Sequence, residues 1–241
     1  MRLVEIAEKN IKLHLEYHDT LNPKLWDEFV LKPDVKEKLK EITNAFLSKV
    51  KIEKKYVTDV IITGSNCNYN WSKLSDIDLH VVVDYNQICD NCGVDIDDCY
   101  RAKKSNWNDN HDIKIKGIDV ELYIQSSDEN FSSNAGIYSL AKDKWVRYPV
   151  KEEKLVYDKK EIKKKAKRWM DLIDDLIDND VDDKVINNVK EKLRKLRQIA
   201  IARGGEFSLE NMVFKTLRNN GYLDKLEEYK NDKENKELSL R

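Results

Sequence analysis

Between residues 57 and 125 the chain gathers residue types that handle phosphate and divalent cations. Gly64-Ser65 closes the apolar run Val60-Ile61-Ile62, and Ser75-Asp76-Ile77-Asp78-Leu79 opens a second run that ends in Val81-Val82-Val83. The β-branched content on both sides of a polar stretch predicts strand, turn, loop, strand. Glycine at 64 lets a ligand approach the backbone. Ser65 and its neighbouring N–H groups direct donors toward a phosphate if a helix starts after the turn. Asp76 and Asp78 stand two apart, so on a strand both side chains leave the same face. Two hard oxygen ligands beside a phosphate-sized turn suit Mg²⁺ carrying nucleotide phosphates. Taken singly, the fragments read equally well as a turn and a strand start with solvated aspartates.

Stepping outward, the positioning elements are a strand over Val57–Thr63 and a second over Leu79–Val83. Alternation on the second puts Ile77, Leu79, Val81 and Val83 on one face and Asp76, Asp78, His80, Val82 and Asp84 on the other. His80 therefore shares the carboxylate side, as a proton shuttle or as a hydrogen-bonded neighbour; Asp84 ends the strand. Residues 97–108 read as a short helix whose Arg101, Lys103 and Lys104 either meet a polyphosphate or form a solvated face. From Asp112 to Ile124 a period-two pattern around Gly117 predicts a hairpin. Its second strand points Ile118, Val120, Leu122 and Ile124 one way and Asp119, Glu121 and Tyr123 the other.

Helical spacing predicts a first helix over residues 1–18 (Val4, Ala7, Ile11, Leu15) and a second from Pro33 through Val35, Leu39, Ile42, Phe46 and Val50. Trp26, between them, is expected to anchor a packed loop. A hairpin is expected over Gly136–Leu140 and Trp145–Tyr148. From Lys159 the pattern is helical. One stripe comprises Trp169, Leu172, Ile173, Leu176 and Ile177, and the next Val185, Val189, Leu193, Leu196 and Ala200, with a turn at Asp178-Asn179-Asp180. The basic run Lys163–Arg168 reads as a solvated helix start or as an RNA-phosphate contact. Ser208 is the expected N-cap of a helix through Leu217, and Lys230–Arg241 reads as a polar, mobile tail.

Gly64-Ser65, a loop, and Ser75-Asp76-Ile77-Asp78-Leu79 together resemble the signature of the DNA polymerase β-like nucleotidyltransferase superfamily. In that signature a hydrophobic residue precedes Gly-Gly or Gly-Ser, and two carboxylates alternate with hydrophobic residues on the following strand. The spacing is similar to that of the aminoglycoside and minimal nucleotidyltransferases, although Tyr69-Asn70-Trp71-Ser72 stands where that group carries Arg-Gly. The whole chain also resembles nucleotidyltransferase-like proteins of tailed phages.

The resemblance implies an α+β fold: a mixed-sheet catalytic core over residues 56–150, N-terminal helices over 1–55 packing on it, and a helical domain over 151–241. It implies transfer of a nucleoside monophosphate from a nucleoside triphosphate, with Mg²⁺ or Mn²⁺, to an acceptor that is a small molecule, RNA or protein. Asp76 and Asp78 are then metal ligands, Gly64, Ser65 and Ser75 form the nucleotide turn, and a third carboxylate lies on the 118–124 strand. Val120-Glu121-Leu122 fits that position best and Ile118-Asp119-Val120 second, so Glu121 is the expected third ligand or base. The competing readings are a non-catalytic, antitoxin-like nucleotide-binding module and an RNA- or DNA-end polymerase.

The bulk composition agrees with a folded protein of mixed charge. The 241 residues carry 44 Lys and Arg against 45 Asp and Glu, net charge -1, which provides no global field for nucleic acid. No run is long enough to span a bilayer and no signal-peptide core opens the chain, so a cytoplasmic location without membrane partners is expected. Of Cys67, Cys89, Cys92 and Cys99, the middle pair has zinc-like spacing, but no second C-x-x-C or paired histidines follow. After His111 there is no histidine, which removes support for a ribonuclease of the Arg-spacer-His type in the C-terminal helices.

Overall fold

The β-branched runs build the centre of a mixed sheet in the computed structural model of the protein, which describes residues 11–13, 16–88, 96–129, 136–151 and 157–239. The chain is mixed α+β and forms two compact units, one Glu16–Glu152 and the other Met1–Leu15 with Glu153–Arg241. In the first unit, β1 (Trp26–Asp27) and β2 (Val30–Leu31) pair as a small antiparallel ribbon ahead of α1 (Pro33–Val50). Then come β3 (Val57–Thr63), β4 (Ile77–Val83), the short α2 (Tyr85–Ile88), α3 (Ile96–Asn110), β5 (Lys114–Ile115), β6 (Ile118–Ser126), β7 (Ile137–Ser139) and β8 (Lys144–Arg147).

The sheet order is β5-β6-β4-β3-β7-β8. All pairings are antiparallel except β4 with β6. That one parallel pair is joined through α3, as a parallel pair needs a long crossover. Its helix packs Tyr100 and Trp107 into the same core as Leu39, Ile42, Phe46 and Val50 of α1. Against them lie Ile62, Ile77, Leu79, Val81, Val83, Val120 and Leu122, the face predicted from alternation. Each such side chain contributes about 1.5–3 kcal/mol by leaving water, so the pattern fixes which face is covered. Among the described residues, the opposite face holds a small apolar cluster, Ile61, Val82 and Ile137, and the polar residues described below.

The sheet is closed off beside the site by a side chain. Asn108 of α3 donates Nδ2 to the Leu122 carbonyl at 3.1 Å and accepts the Leu122 N–H on Oδ1 at 3.2 Å. The expected hairpins at Gly117 and at Lys142-Asp143 are both present.

The second unit contains α4 (Lys159–Asp178), α5 (Asp183–Gly204), α6 (Leu209–Asn219) and α7 (Tyr222–Leu238). Three expectations need correction here. The stripe of α4 is Ile162, Ala166, Met170 and Ile173, while Leu172 is 40% exposed. On α5, Ile186 and Leu193 are buried and Val185 is exposed. The reason is that α4 and α5 each pack mainly on α6 and α7 rather than on each other, which rotates the buried line away from a simple two-helix seam. Residues 230–238, expected as a mobile tail, continue α7, tied in by Lys233 Nζ donating to the Val181 carbonyl at 2.7 Å. Ser208 stands at the N-cap of α6 but its hydroxyl makes no capping bond. Most of the helix expected over 1–18 lies outside the described residues; Ile11 is buried in the helical unit's core. No helix among the described residues is long and apolar enough to cross a membrane.

Candidate functional site

Register places the central carboxylate. Asp78 on β4 is flanked by Thr63 on β3 and by Glu121 on β6, and adjacent strands hold such neighbours about 4.8 Å apart. Gly64 follows β3 immediately with φ 77° and ψ −161°, a combination essentially restricted to glycine. The turn lies directly on the carboxylate: a Cβ at 64 would fall 1.8 Å from Asp78 Oδ2. The use foreseen for Gly64 was close approach by a phosphate; the space that glycine keeps is first of all Asp78's. Cys67 lies buried in the same turn, where desolvation and then the Asp78 charge hold its thiol well above the ordinary range.

The loop between the two strands is pinned by buried amides. A single 3₁₀ turn, Ser65–Cys67, follows Gly64. Asn66, fully buried, donates Nδ2 to the carbonyls of Asp76 at 2.8 Å and Ser75 at 3.3 Å. It is held in turn by Asn22 Nδ2 donating to its Oδ1 at 2.8 Å and by Trp26 Nε1 donating to its carbonyl at 2.7 Å. Trp26 is therefore the packed anchor expected of it, and what it anchors is the turn. The Ser65 hydroxyl donates to Ser75 Oγ at 2.8 Å, and Ser75 Oγ also accepts from the Ser72 N–H at 2.9 Å. The far end of the loop is fixed by His18, whose ring stacks on Trp71 at 3.6 Å.

On β6 the two candidate carboxylates separate. Glu121 is half-buried beside Asp78 and meets Lys104 Nζ of α3 at 3.1 Å. Asp119 is exposed and paired with Lys114 on the hairpin's other strand at 2.8 Å. Of the three cations expected on α3, Lys104 alone reaches the site. Lys103 donates to the Val50 carbonyl and Arg101 pairs with Asp98. Lys104 Nζ also sits 3.9 Å from the Tyr123 ring centroid. The Tyr123 hydroxyl is pushed far above its ordinary value by burial, then by the charges of Asp78 and Glu121, by its hydrogen bond to Glu121, and by Asp76. One phenol thus feels all three carboxylates. His80 stacks on Tyr123 at 4.6 Å, and its Nδ1 donates to Gln125 Oε1 at 2.7 Å. Burial lowers its pKa, against the Gln125 bond and with the help of Lys104, so it is neutral at physiological pH.

The structure thus brings Gly64, Asp78 and Glu121 side by side, with Asp76 immediately before β4 and Ser65 and Ser75 bonded to each other in the loop beside it. Among the described residues no three His, Cys, Asp or Glu side chains converge on one metal-sized point. Cys89 and Cys92 lie outside the described residues. His111 stacks on Trp107 at 3.8 Å. Sequence reasoning missed Asn22, Asn66, Tyr123 and Gln125 as positioning groups. Nothing distinguishes a structural asparagine from a solvated one in a polar stretch; Tyr123 alone carried a signal, its place on the carboxylate side of the strand.

No family model, no curated protein and no solved structure matches this chain. The class defined here is a mixed α+β protein that presents neighbouring-strand carboxylates against a glycine turn.

Proposed function

We propose that the chain is a metal-dependent nucleotidyltransferase that transfers a nucleoside monophosphate from a nucleoside triphosphate to a small-molecule, RNA or protein acceptor and releases pyrophosphate. The observation that carries this reading is the Gly64 turn seated on Asp78, with Glu121 next to Asp78 in register. Asp76, Asp78 and Glu121 would hold Mg²⁺ or Mn²⁺: their hard oxygens are the donor type such an ion takes, and Asp78 and Glu121 are register neighbours, while among the described residues the three do not converge on one point. Bound there, the ion would supply charge neutralisation of the triphosphate and a lowered pKa for the attacking group.

The chain's own residues do the positioning, which is most of phosphoryl-transfer catalysis. Gly64 leaves the backbone open beside the carboxylate, and the Asn66 amide fixes the Asp76 backbone. Lys104, paired with Glu121, is the α3 cation that reaches the site and the one suited to a substrate phosphate. Tyr123, kept protonated by burial and by the neighbouring carboxylates, sets an uncharged hydroxyl among them.

A second reading, a non-catalytic nucleotide-binding module, is favoured by one observation: Glu121 is already neutralised by Lys104 and the carboxylates do not converge. The test is incubation of the protein with each α-labelled nucleoside triphosphate, Mg²⁺ or Mn²⁺, and RNA, small-molecule or protein acceptors, beside its Asp78→Asn variant. Label transfer abolished in Asp78→Asn is the expected result. Nucleotide binding by calorimetry with no transfer to any acceptor supports the second reading, and wild-type turnover in Asp78→Asn refutes the first.

A further inference from the structure

The helical unit contains a pocket of about 340 Å³ between α4, α5 and α6. Its walls are Trp169 and Leu172 from α4, Leu193 and Leu196 from α5, and Val213 and Phe214 from α6. Leu172 is 40% exposed and Trp169, Leu196 and Phe214 are half-buried. These apolar groups face water in a concave site although the helices bury a full core elsewhere, which is the usual lining of a ligand pocket.

The rim is cationic. Lys165 and Arg168 border the pocket together with Glu210, and Lys165 takes the charge of Glu210 at 2.8 Å. Lys192 Nζ lies 5.7 Å from the Trp169 ring and the Arg197 guanidinium 4.8 Å from the Phe214 ring. Arg197 is further held by Asn211 Oδ1 and feels Glu206. Arg168 and Lys192 make no ion pair among the described residues. Two aromatic rings, each flanked by a cation, with Arg168 unpaired on the rim, suit an occupant that is both flat and anionic. An alkyl chain would fill the walls but leave the rim unanswered. An acidic peptide would answer the rim but not the rings.

We infer that this pocket binds a nucleotide unit, the base against Trp169 and Phe214 and the phosphate on Arg168 and Lys192. Base stacking on aromatic side chains within a positive groove is the general mode for single-stranded nucleic acid, and it tolerates any base. The volume accommodates one nucleotide, either free or as part of a strand. The pocket also resolves the basic run of the sequence: Lys167 pairs with Asp171 on its own helix and Lys165 with Glu210, so Arg168 is the member that faces the pocket uncommitted. The inference does not depend on the sheet-face reading.

The test uses the full chain and a fluorescein-labelled oligouridylate of about ten nucleotides, followed by anisotropy at low and moderate salt. AMP and heparin serve as competitors. The labelled strand is expected to bind. Arg168→Gln combined with Lys192→Gln should weaken it by about tenfold or more, and Trp169→Leu by a similar factor, while Lys38→Gln, an exposed cation of the other unit, leaves it unchanged. Displacement by AMP identifies a free nucleotide as sufficient; retention against AMP with loss in the variants identifies the strand. No binding overturns the proposal. So does binding that heparin abolishes and the charge variants weaken but Trp169→Leu leaves intact, because that describes a charged surface without a base site. If Trp169→Leu fails to fold by circular dichroism, Phe214→Leu replaces it as the ring variant with the same outcomes, Phe214 being half-buried in the same pocket.

Discussion

Replacing Gly64 by alanine should damage both stability and chemistry, by separable amounts. The backbone at 64 holds φ 77° and ψ −161°, and forcing a residue with a Cβ into that region costs about 1–3 kcal/mol. At roughly 2–4 °C per kcal/mol, this backbone part alone should lower the melting temperature by about 2 to 12 °C, and the contact with Asp78 adds to it. The new methyl would lie 1.8 Å from Asp78 Oδ2, so the carboxylate must retreat by about 1.6 Å to reach the 3.4 Å of an ordinary contact. Displacement of a reacting group by about 1 Å is worth on the order of a hundredfold in rate. Scanning calorimetry reads the first effect and single-turnover label transfer the second. A double-mutant cycle isolates the contact: in an Asp78→Ala background, which lacks the Oδ2 and Cγ atoms that the methyl meets, Gly64→Ala should cost only the backbone part. Equal melting losses in both backgrounds, or an unchanged rate in Gly64→Ala alone, would refute the reasoning.

The two β6 carboxylates should rank by register. Glu121→Gln should slow transfer by about a hundredfold or more, on the scale of general acid–base terms. Asp119→Asn, which only releases the exposed Lys114 pair, should change the rate by less than about threefold; the reverse order in a single-turnover assay would move the role to Asp119. The helical unit should be acid-sensitive through Glu206. Burial raises that carboxyl's pKa, but Lys215 at 2.8 Å, with Arg197 and the Asn211 amide, outweighs it and holds it below 4.5. A depressed carboxyl stabilises the fold above its unfolded pKa and loses that contribution as pH falls through the folded value. Glu206→Gln should therefore flatten the acid limb of thermal melts followed by helical circular dichroism; an unchanged limb would remove Glu206 as its cause.

Much of the sheet was legible because burial obeys a period of two. Residues 57–63, 77–83 and 118–126 show β-branched or alternating patterns whose covered face matches the one α1 and α3 bury. Pro33 announced its helix, and Gly117 its hairpin. Gly64, Asp78 and Glu121 could be singled out because each breaks the pattern around it. The helices of the second unit were less legible, since Leu172 and Ile173 are interchangeable to a periodicity argument and only the position of α6 and α7 decides which is covered. Of the supports of the site, only Trp26 and Tyr123 left a signal. Asn66 bonds to residues 22, 26, 75 and 76, and long-range partners of a single amide leave no trace in local sequence.

The Asn108 amide has a consequence for how the molecule meets others of its kind. A strand's outer edge is an invitation to any extended chain, because its peptide groups stand ready to bond. At Leu122 that invitation is withdrawn: a side-chain amide presents the same donor and acceptor that a peptide unit would, and being tethered to α3 it needs no encounter with a second molecule. Asp78 and Glu121 therefore sit beside a sealed margin. A slip of β6 by one residue, which would carry Glu121 to the helix-covered face, must first break both Asn108 bonds. One polar side chain thus guards against strand addition and against loss of register in the same place.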